Sequence, residues 1–505
     1  MAKLILPKAT TATRTAATPV AGEILYDTDQ NKFYGGDGAT QGGVPFALAK
    51  TYDGFVYGID YDTSVATAAS ACTKIVLNTE HDIADDPLRY TGVASFTRLP
   101  AHNWKRCVVT PATRTVNYYL HPSDSSKKAN GQAATLTGAD GDVMVEIPVT
   151  HYRIDKYTDS SEHEHIVWLV SDQPFSGSAP HPFFYTSPDG ATLRTQYVGA
   201  FPPIGFTASG SSFVPSADYA VGGAFKSIHS TDYKPPTGWS LDSYLRGTER
   251  VNAYPVNITF AWFLRLMMVV EYGTFDIQSA FSAGFTGVDP SAVLATAKRY
   301  NGRTIPLGNG SGHILADDDG DDEDIAAYWQ SGVTSKVVAC SYRGVEDPFG
   351  LAWAICAGCI TGDNSSIPGY WITNSTSRYG DIFTGPPTSL TLANLPSPSE
   401  ASVFNGYTGD AWIFIPHGWA ANSDSNFSLY PAVFDPLTFL PLSSETSGSS
   451  STYLCDASLL KGALNPTPTL IGYGDTYDSG AAGGPFSSTT NFGMSGTRIY
   501  SRTAC

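Results

Sequence analysis

The sequence predicts a mainly β, or β-rich α+β, protein with more than one domain. Its 505 residues are enough for roughly two to four domains with apolar cores. Only 15% of the residues are charged, whereas 12% are aromatic and glycine and proline number 49 and 33. Since disordered chains are poor in aromatic residues, this composition indicates short strands joined by long ordered loops.

Charge and cysteine content narrow the class of protein. A net charge of −17 argues against a nucleic-acid partner, because phosphate binding requires an excess of lysine and arginine. The seven cysteines are odd in number and follow no regular framework, which favours folding in a reducing cytoplasm. The apolar run Met1–Pro7 is too short for a signal peptide, and no window approaches the roughly 20 apolar residues of a membrane span. We therefore expect no membrane insertion.

The first predicted unit spans residues 1–50 and contains a hairpin within Gly22–Gly38. Ile24–Tyr26 forms one strand, Asp29–Asn31 the turn and Lys32–Tyr34 the returning strand. A hairpin of this size buries too little apolar area to be stable alone, so association with copies of itself is physically plausible. A generic hairpin is the alternative interpretation.

The remaining chain is predicted to hold a β-rich connector domain, residues 51–140, and a larger C-terminal domain, residues 141–505. Short apolar segments alternate with proline and glycine turns throughout both. Val143, Val145 and Ile147 alternate with more polar positions, which is the pattern of a half-buried strand.

One segment, Thr259–Tyr272, is predicted to be a helix. Thr259 can cap its start, and apolar residues occupy nearly every side, so the helix should be buried among strands. Glu271 near its end is expected to be structural, paired with an arginine or with backbone donors.

An acidic run, Asp317–Asp324, is a candidate for calcium binding. With Gly320 as the sixth residue of an EF-hand loop, Leu315 and Ala326 fall on the first and last ligand positions, so the motif fails. A solvated acidic loop is the favoured interpretation, and a looser calcium loop stays open.

His163 and His165 flank Glu164, and alternate residues on a strand share a face from which both could reach one metal ion. The neighbouring acidic residues favour an exposed polar hairpin instead.

Cys356 and Cys359 form a CxxC pair without the second pair that zinc requires and without an adjacent βαβ unit for redox chemistry. Two small buried residues are the better interpretation. The sequence also lacks a GxSxG elbow, an HExxH motif and a phosphate-binding loop. We therefore expect no enzyme activity, no cofactor and no metal.

The most informative segment is Ser341–Trp353. It combines turn residues with charged and aromatic side chains that would fix a compact, loop-rich scaffold, and it contains no nucleophile or metal ligand set. The signature positions are Tyr342, Arg343, Gly344, Glu346, Pro348, Phe349, Gly350 and Trp353.

This segment resembles the SYRGIENPFGxxW signature of phage virion proteins that end in a C-type-lectin-like domain. Gly22–Gly38 resembles the GExxYDTxxNxxYxGDG element of phage tail fibres. Further similar blocks include the Trp104–Cys107 strand, the apolar helix and the Gly448–Asp456 stretch. The resemblance implies a C-terminal lectin-like domain with one buried helix, an N-terminal virion-attachment element, a homotrimer, and a place on the exterior of the phage particle.

In this family, ligand-contacting side chains lie on the last strands and loops, here about residues 400–495. Tyrosine, aspartate and asparagine on a rigid framework suit adaptable recognition. The family's Trp/Tyr-rich run is replaced here by Gly472–Asp478. The candidate receptor-binding residues are Tyr473, Asp475, Tyr477, Asp478, Phe486, Thr489, Asn491 and Phe492.

The sequence therefore predicts a phage tail fibre or other receptor-binding protein that recognises a glycan or protein on the bacterial surface. The N-terminus would contact other virion proteins. The alternative is a structural virion component, a head fibre or tail decoration whose lectin-like domain packs on neighbouring virion proteins.

Overall fold

In the computed structural model of the protein, the chain forms two compact units, Met1–Phe55 and Val56–Cys505. The structure describes residues 8–21, 23–28, 32–35, 39, 41, 44–45, 55–78, 99–209, 212–215, 224–229, 253–282, 302–315, 338–349, 353–364, 367–375, 383–384, 391–392, 413–416, 426–429, 433–442, 458–461, 472–473, 488–489, 499–501 and 503–505. Strands predominate over helices in these residues, so the predicted mainly β fold class is confirmed.

The N-terminal unit is a four-stranded sheet with one short helix. Its elements are β1 (Lys8–Ala9), α1 (Thr11–Thr15), β2 (Ile24–Asp27), β3 (Lys32–Gly35) and β4 (Val44–Pro45), with the strands in that order. Strands β2 and β3 pair as an antiparallel hairpin, as the sequence predicts; the predicted turn residues lie outside the described part.

A buried ion pair holds this small unit together. Asp27 is fully buried, and its carboxylate accepts a hydrogen bond from Nε of Arg14 at 2.7 Å. The Arg14 guanidinium also lies 3.6 Å from the ring centre of Tyr34. The pair thus fastens α1 to the β2–β3 hairpin, since one partner lies on each.

The second unit contains the other strands and helices of the described residues. In chain order its strands are β5 (Phe55–Asp62), β6 (Cys72–Asn78), β7 (Lys105–Thr110), β8 (Thr115–His121), β9 (Asp124–Lys128), β10 (Asp142–Ile147), β11 (His151–Thr158), β12 (Glu164–Ser171), β13 (Ala179–Pro180), β14 (Gln196–Gly199), β15 (Pro203–Ser209), β16 (Ser212–Pro215), β17 (Ala224–Ser227), β18 (Tyr254–Pro255), β19 (Gly312–Leu315), β20 (Val338–Tyr342), β21 (Val345–Glu346), β22 (Trp353–Ile355), β23 (Cys359–Asn364), β24 (Ile367–Ile372), β25 (Phe383–Thr384), β26 (Thr391–Leu392), β27 (Ile413–Pro416), β28 (Asn426–Leu429), β29 (Ser458–Lys461), β30 (Gly472–Tyr473), β31 (Ser488–Thr489), β32 (Ile499–Ser501) and β33 (Thr503–Ala504). Its α-helices are α2 (Ile258–Tyr272) and α3 (Ile277–Ala280), and short 3₁₀ turns span Pro100–Asn103, Pro182–Tyr185 and Ile305–Leu307.

Two large sheets share one apolar core with α2. The first has the order β18-β33-β14-β10-β7-β8-β9 and the second the order β13-β11-β12-β5-β6. Val143 and Val145 of β10, Ile59 of β5 and Trp168 of β12 belong to the same buried cluster as most of α2. Because β7 pairs with β10 and β5 with β12, strands from both sides of residue 140 lie in the same sheets.

Helix α2 begins one residue earlier than predicted and is capped by a different residue. The side chain of Asn257 accepts the backbone N–H of Thr259 at 3.0 Å, so Asn257, not Thr259, is the N-cap. The helix ends at Gly273, whose φ of +71° is the left-handed conformation that glycine adopts readily. Its residues from Ile258 to Val270 are buried, as the all-round apolar pattern predicts. Among the described residues, no helix combines the length and apolarity needed to cross a membrane.

The C-terminal strands build smaller sheets. The largest has the order β28-β29-β31-β30-β22-β32. In it β22 runs parallel to β32 and antiparallel to β30, and β30 runs antiparallel to β31. This arrangement decides where the connections between these strands leave the sheet.

Candidate functional site

The signature segment forms a tight hairpin between β20 and β21. Tyr342 pairs directly with Val345, which leaves Arg343 and Gly344 as a two-residue turn. Their φ angles are +49° and +90°, and two successive positive φ values are the requirement of a type I′ turn. This turn type fits the right-handed twist of the flanking strands.

Glu346 organises a neighbouring loop from inside the protein. The side chain is fully buried. Its Oε1 accepts the backbone N–H of Gly302 at 2.9 Å, and its Oε2 accepts the N–H and hydroxyl of Thr304 at 2.9 and 2.8 Å. The carboxylate is therefore occupied in holding the 302–304 segment and acts as a structural anchor.

Arg106 completes this network from β7. Its guanidinium is fully buried and donates from Nε to the carbonyl of Gly344 at 2.7 Å and from Nη1 to the carbonyl of Thr304 at 2.9 Å. Nη2 also donates to the Thr304 hydroxyl at 2.6 Å. Thr304 thus links Arg106 to Glu346, and we call Arg106, Thr304, Gly344 and Glu346 the buried polar framework.

Arg343 points away from this framework toward the end of α2. It forms an ion pair with Glu271, and Nε2 of His102 lies 3.6 Å from the same carboxylate. Burial favours the neutral carboxyl, but the hydrogen bonds from His102 and Arg343 outweigh it and hold the pKa of Glu271 below its usual range. The expected pairing of Glu271 with an arginine is confirmed.

The rest of the signature is partly described. Asp347 and Cys340 exchange hydrogen bonds, with the Cys340 N–H donating to the aspartate side chain at 3.2 Å. Pro348 and Phe349 are buried. The structure describes the backbone of Trp353 in β22 but not its side chain, and Gly350 lies outside the described residues.

Two of the predicted receptor-binding residues lie in described strands, Tyr473 in β30 and Thr489 in β31. Tyr473 of β30 pairs with Ser488 of β31, so the chain leaves β30 and enters β31 at the same end of the strands. Because β22 and β32 run antiparallel to β30, both of those strands begin at that end. The signature segment leads into β22 and therefore reaches the same end of the sheet.

Most candidate side chains in this region fall beyond the described part of the chain. The backbones of Tyr473 and Thr489 are placed in their strands. The candidates outside the described residues are Asp475, Tyr477, Asp478, Phe486, Asn491 and Phe492. The acidic run Asp317–Asp324 lies outside them as well. The assignment of these residues to receptor or calcium binding stays a prediction.

The CxxC cysteines are interior groups. Cys356 and Cys359 are both fully buried, and burial raises the pKa of the Cys359 thiol well above its usual range. A protonated, inaccessible thiol is neither a nucleophile nor a ready metal ligand. Their environment matches the prediction of two small buried residues.

The two histidines of the HxH pair differ in exposure. The side chain of His163 is 44% exposed, whereas that of His165 is only 12% exposed and lies 2.8 Å from Asp60. The predicted exposure is therefore correct for His163 and wrong for His165, because the His165 ring contacts the carboxylate of Asp60 on β5.

Sequence reasoning missed several of these polar residues. Arg106 and Thr304 are separated by 198 positions and Asp60 and His165 by 105, so no local motif connects them. The one available signal was a charged residue within the apolar strand Lys105–Thr110, which is a position where a charge needs buried partners.

Comparisons with known proteins give a limited result. No family model and no curated protein matches the chain. Among solved structures it is similar to the U1, P3c and M1 variants of the Major Tropism Determinant, each at 12% identity and a TM-score of 0.24. The match covers 99% of this chain in each case, and 99%, 99% and 98% of the respective neighbours. Values this low do not establish a common fold.

Proposed function

We propose that this chain is a phage virion fibre protein that recognises the bacterial host surface through a C-terminal lectin-like domain. The proposal is supported by two sequence blocks, the tail-fibre-type hairpin within Gly22–Gly38 and the signature Ser341–Trp353. The hairpin would attach the fibre to other virion proteins, and the C-terminal segments would face the host.

The observation that carries the proposal is the structural use of the signature's charged groups. Glu346 of the signature accepts hydrogen bonds from backbone N–H groups and the Thr304 hydroxyl in the interior. Arg106 of β7 donates to the carbonyls of Gly344 and Thr304 beside it. Arg343 fastens the hairpin to α2 through Glu271. Such groups stiffen a scaffold, since buried, fully satisfied polar networks specify one arrangement of the chain. They are not presented to a substrate.

A rigid scaffold of this kind supports recognition by the loops that join its strands. The segment 474–487 begins and ends on paired strands, so its two ends are fixed. Tyr477, Asp475 and Asp478 supply contact area and hydrogen bonds with few rotatable bonds to immobilise. Recognition would be non-covalent, without a cofactor.

Assembly as a homotrimer would strengthen weak individual sites. Linked sites gain roughly 100- to 10,000-fold in avidity when they engage the same surface. The small N-terminal unit and the family resemblance are the reasons to propose three copies.

Competition for phage adsorption tests this function. Purified full-length protein, with its oligomeric state checked by light scattering, is added to host cells before the parent phage. We expect a dose-dependent fall in the adsorption rate. The double variant Tyr473→Ala with Tyr477→Ala should fold and assemble but lose the competition.

A matched control separates this site from general loss of tyrosine. Tyr119 on β8 is 38% exposed and lies in a different sheet, the seven-stranded one, so Tyr119→Ala should compete as well as the unmodified chain. Unchanged adsorption at saturating, correctly assembled protein would contradict the recognition function and leave the structural virion role.

A further inference from the structure

Residues 499–505 contribute one strand to each of two sheets. The first strand, β32, runs parallel to β22 in the six-stranded sheet that also contains β30 and β31. The second strand, β33, lies between β14 and β18 in the seven-stranded sheet. Because a single residue separates β32 from β33, the two strands cannot move independently of each other. We call residues 499–505 the strap.

Backbone hydrogen bonds fix the strap in the seven-stranded sheet. The N–H of Tyr197 donates to the carbonyl of Cys505 at 3.1 Å, and the N–H of Cys505 donates to the carbonyl of Tyr197 at 2.9 Å. On the other side of the strap, Ala504 pairs with Tyr254 of β18. Strand β33 therefore has a partner on each side and fills a slot inside the sheet.

The side chains of the strap in this slot are buried. Ala504 is 1% exposed and Cys505 is fully buried. Cys505 joins a small apolar cluster with Cys107, Val109 and Met144 of the neighbouring strands. Packing therefore holds the strap in place together with the backbone hydrogen bonds.

At its other end the strap supports the strands that join the segment 474–487. Strand β32 pairs with one side of β22, and β30 pairs with the other side. Strand β30 in turn pairs with β31, and the segment 474–487 connects these two strands. Short strands are stable only when they pair within a larger sheet, so the position of β30 depends on β32 through β22.

A second connection joins β22 to the core. Just after β22, the N–H of Ala357 donates to the carbonyl of Val256 at 2.9 Å, and its carbonyl accepts the N–H of Ile258 at 2.8 Å. Val256 and Ile258 flank Asn257, the N-cap of α2. Release of the strap should therefore loosen the six-stranded sheet while the core around α2 stays folded.

We propose that the strap positions the segment 474–487 by fastening the six-stranded sheet to the seven-stranded sheet. This inference rests on the proposed function, which assigns host recognition to that segment. Ala504 and Cys505 are buried and act through β32, β22 and β30, so they are positioning residues that make no contact with the host surface.

Hydrogen exchange in the full-length chain tests this coupling without a host cell. Cys505→Pro removes the N–H that donates to Tyr197, while the extended backbone of Ala504 stays allowed before a proline. We expect the amides of β30 and β31 to exchange at least about tenfold faster, as for the loss of one or two hydrogen bonds. The amides of β12 should change by less than about twofold. Deletion of residues 503–505 should have a larger effect in the same direction.

Cys505→Ala is the matched control for Cys505→Pro. It removes the same sulfur but keeps the backbone N–H, so its effect on exchange in β30 and β31 should be at least about threefold smaller. Circular dichroism of each variant confirms that the core stays folded.

Binding of labelled protein to host cells connects the coupling to recognition. Cys505→Pro should bind at least about tenfold more weakly than the unmodified chain, and Cys505→Ala should bind within about threefold of it. If the unmodified chain does not bind host cells, the proposed function fails, whereas hydrogen exchange still tests the strap.

Three results would overturn the role of the strap. The first is unchanged exchange in β30 and β31 both in Cys505→Pro and after the deletion. The second is equal acceleration in β12, which would mean that the strap stabilises the whole unit. The third is unchanged host binding despite faster exchange in β30 and β31, because the strap would then not position the segment for recognition.

Discussion

The buried polar framework and the β30–β31 strand pair use polar residues in opposite ways. In the framework, Arg106 and Glu346 are fully buried and each makes several hydrogen bonds to one loop. The β30–β31 pair contributes two residues from each strand and is joined by the segment 474–487, which contains Asp475, Tyr477 and Asp478. In the first region the polar groups bond to one another inside the protein and stabilise the fold. In the second region, as we propose, they contact a binding partner.

The difference predicts which substitutions should lower stability and which should impair binding. A substitution in the framework should lower stability and impair binding only through unfolding. A substitution in segment 474–487 should impair binding with little effect on stability. Four predictions test this division, from the largest expected change in the free energy of unfolding to the smallest.

Arg106→Met should have the largest effect. It would leave the Thr304 and Gly344 carbonyls in the interior without their donor, and removing one member of a buried charged network costs about 3 to 5 kcal/mol. Urea unfolding measures the change. A loss below about 1 kcal/mol would show that the network can rearrange without the guanidinium.

Gly344→Ala should lower the free energy of unfolding by about 1 to 3 kcal/mol. The φ of +90° at Gly344 is a strained conformation for alanine. A Cβ there would also lie 3.2 Å from Cγ of Arg106. Gly131→Ala is the matched control, since its φ is +86° but a Cβ there would meet nothing within 4 Å. Equal losses in the two variants would mean that backbone strain alone acts at Gly344.

Glu271→Gln should make the free energy of unfolding less sensitive to acid. Because the folded-state pKa of Glu271 lies below its usual value of 4.5, ionised Glu271 stabilises the fold above about pH 4.5, and this contribution is lost as the pH falls through the folded-state pKa. The variant should be less stable by about 1 to 2 kcal/mol at pH 7. Urea unfolding from pH 7 to pH 3.5 should show this difference shrinking, and a constant difference would refute the role of the Arg343 pair.

Tyr477→Ala should have the smallest effect on stability, within about 0.5 kcal/mol as for an ordinary surface change. The same variant should lose adsorption competition. If Tyr477→Ala unfolded the protein, the segment would belong to the core and the division between the two regions would fail.

The sequence was sufficient for features that depend on local patterns. The β2–β3 hairpin and α2 were predicted to within one residue at their bounds, because turn residues and a continuous apolar run mark them. The Asn257 cap was missed because Thr259, two residues later, is also a good capping residue. Local competition between two caps cannot be resolved without the backbone geometry.

Features that depend on distant contacts could not be predicted. The partners of Arg106 lie up to 238 positions away, and His165 was interpreted as exposed because Asp60 is remote in sequence. For the Arg343–Glu271 pair, the sequence predicted that Glu271 would contact an arginine or backbone donors but did not identify the partner. That the partner is Arg343 follows only from the hairpin turn at Arg343 and Gly344.

The most direct test of the central claim is the binding of labelled full-length protein to host cells, measured alongside the stability of each preparation. We predict saturable binding that the Tyr473→Ala, Tyr477→Ala double variant loses while its unfolding midpoint is unchanged. Binding by the double variant equal to that of the unmodified protein would contradict the assignment of recognition to the β30–β31 connection.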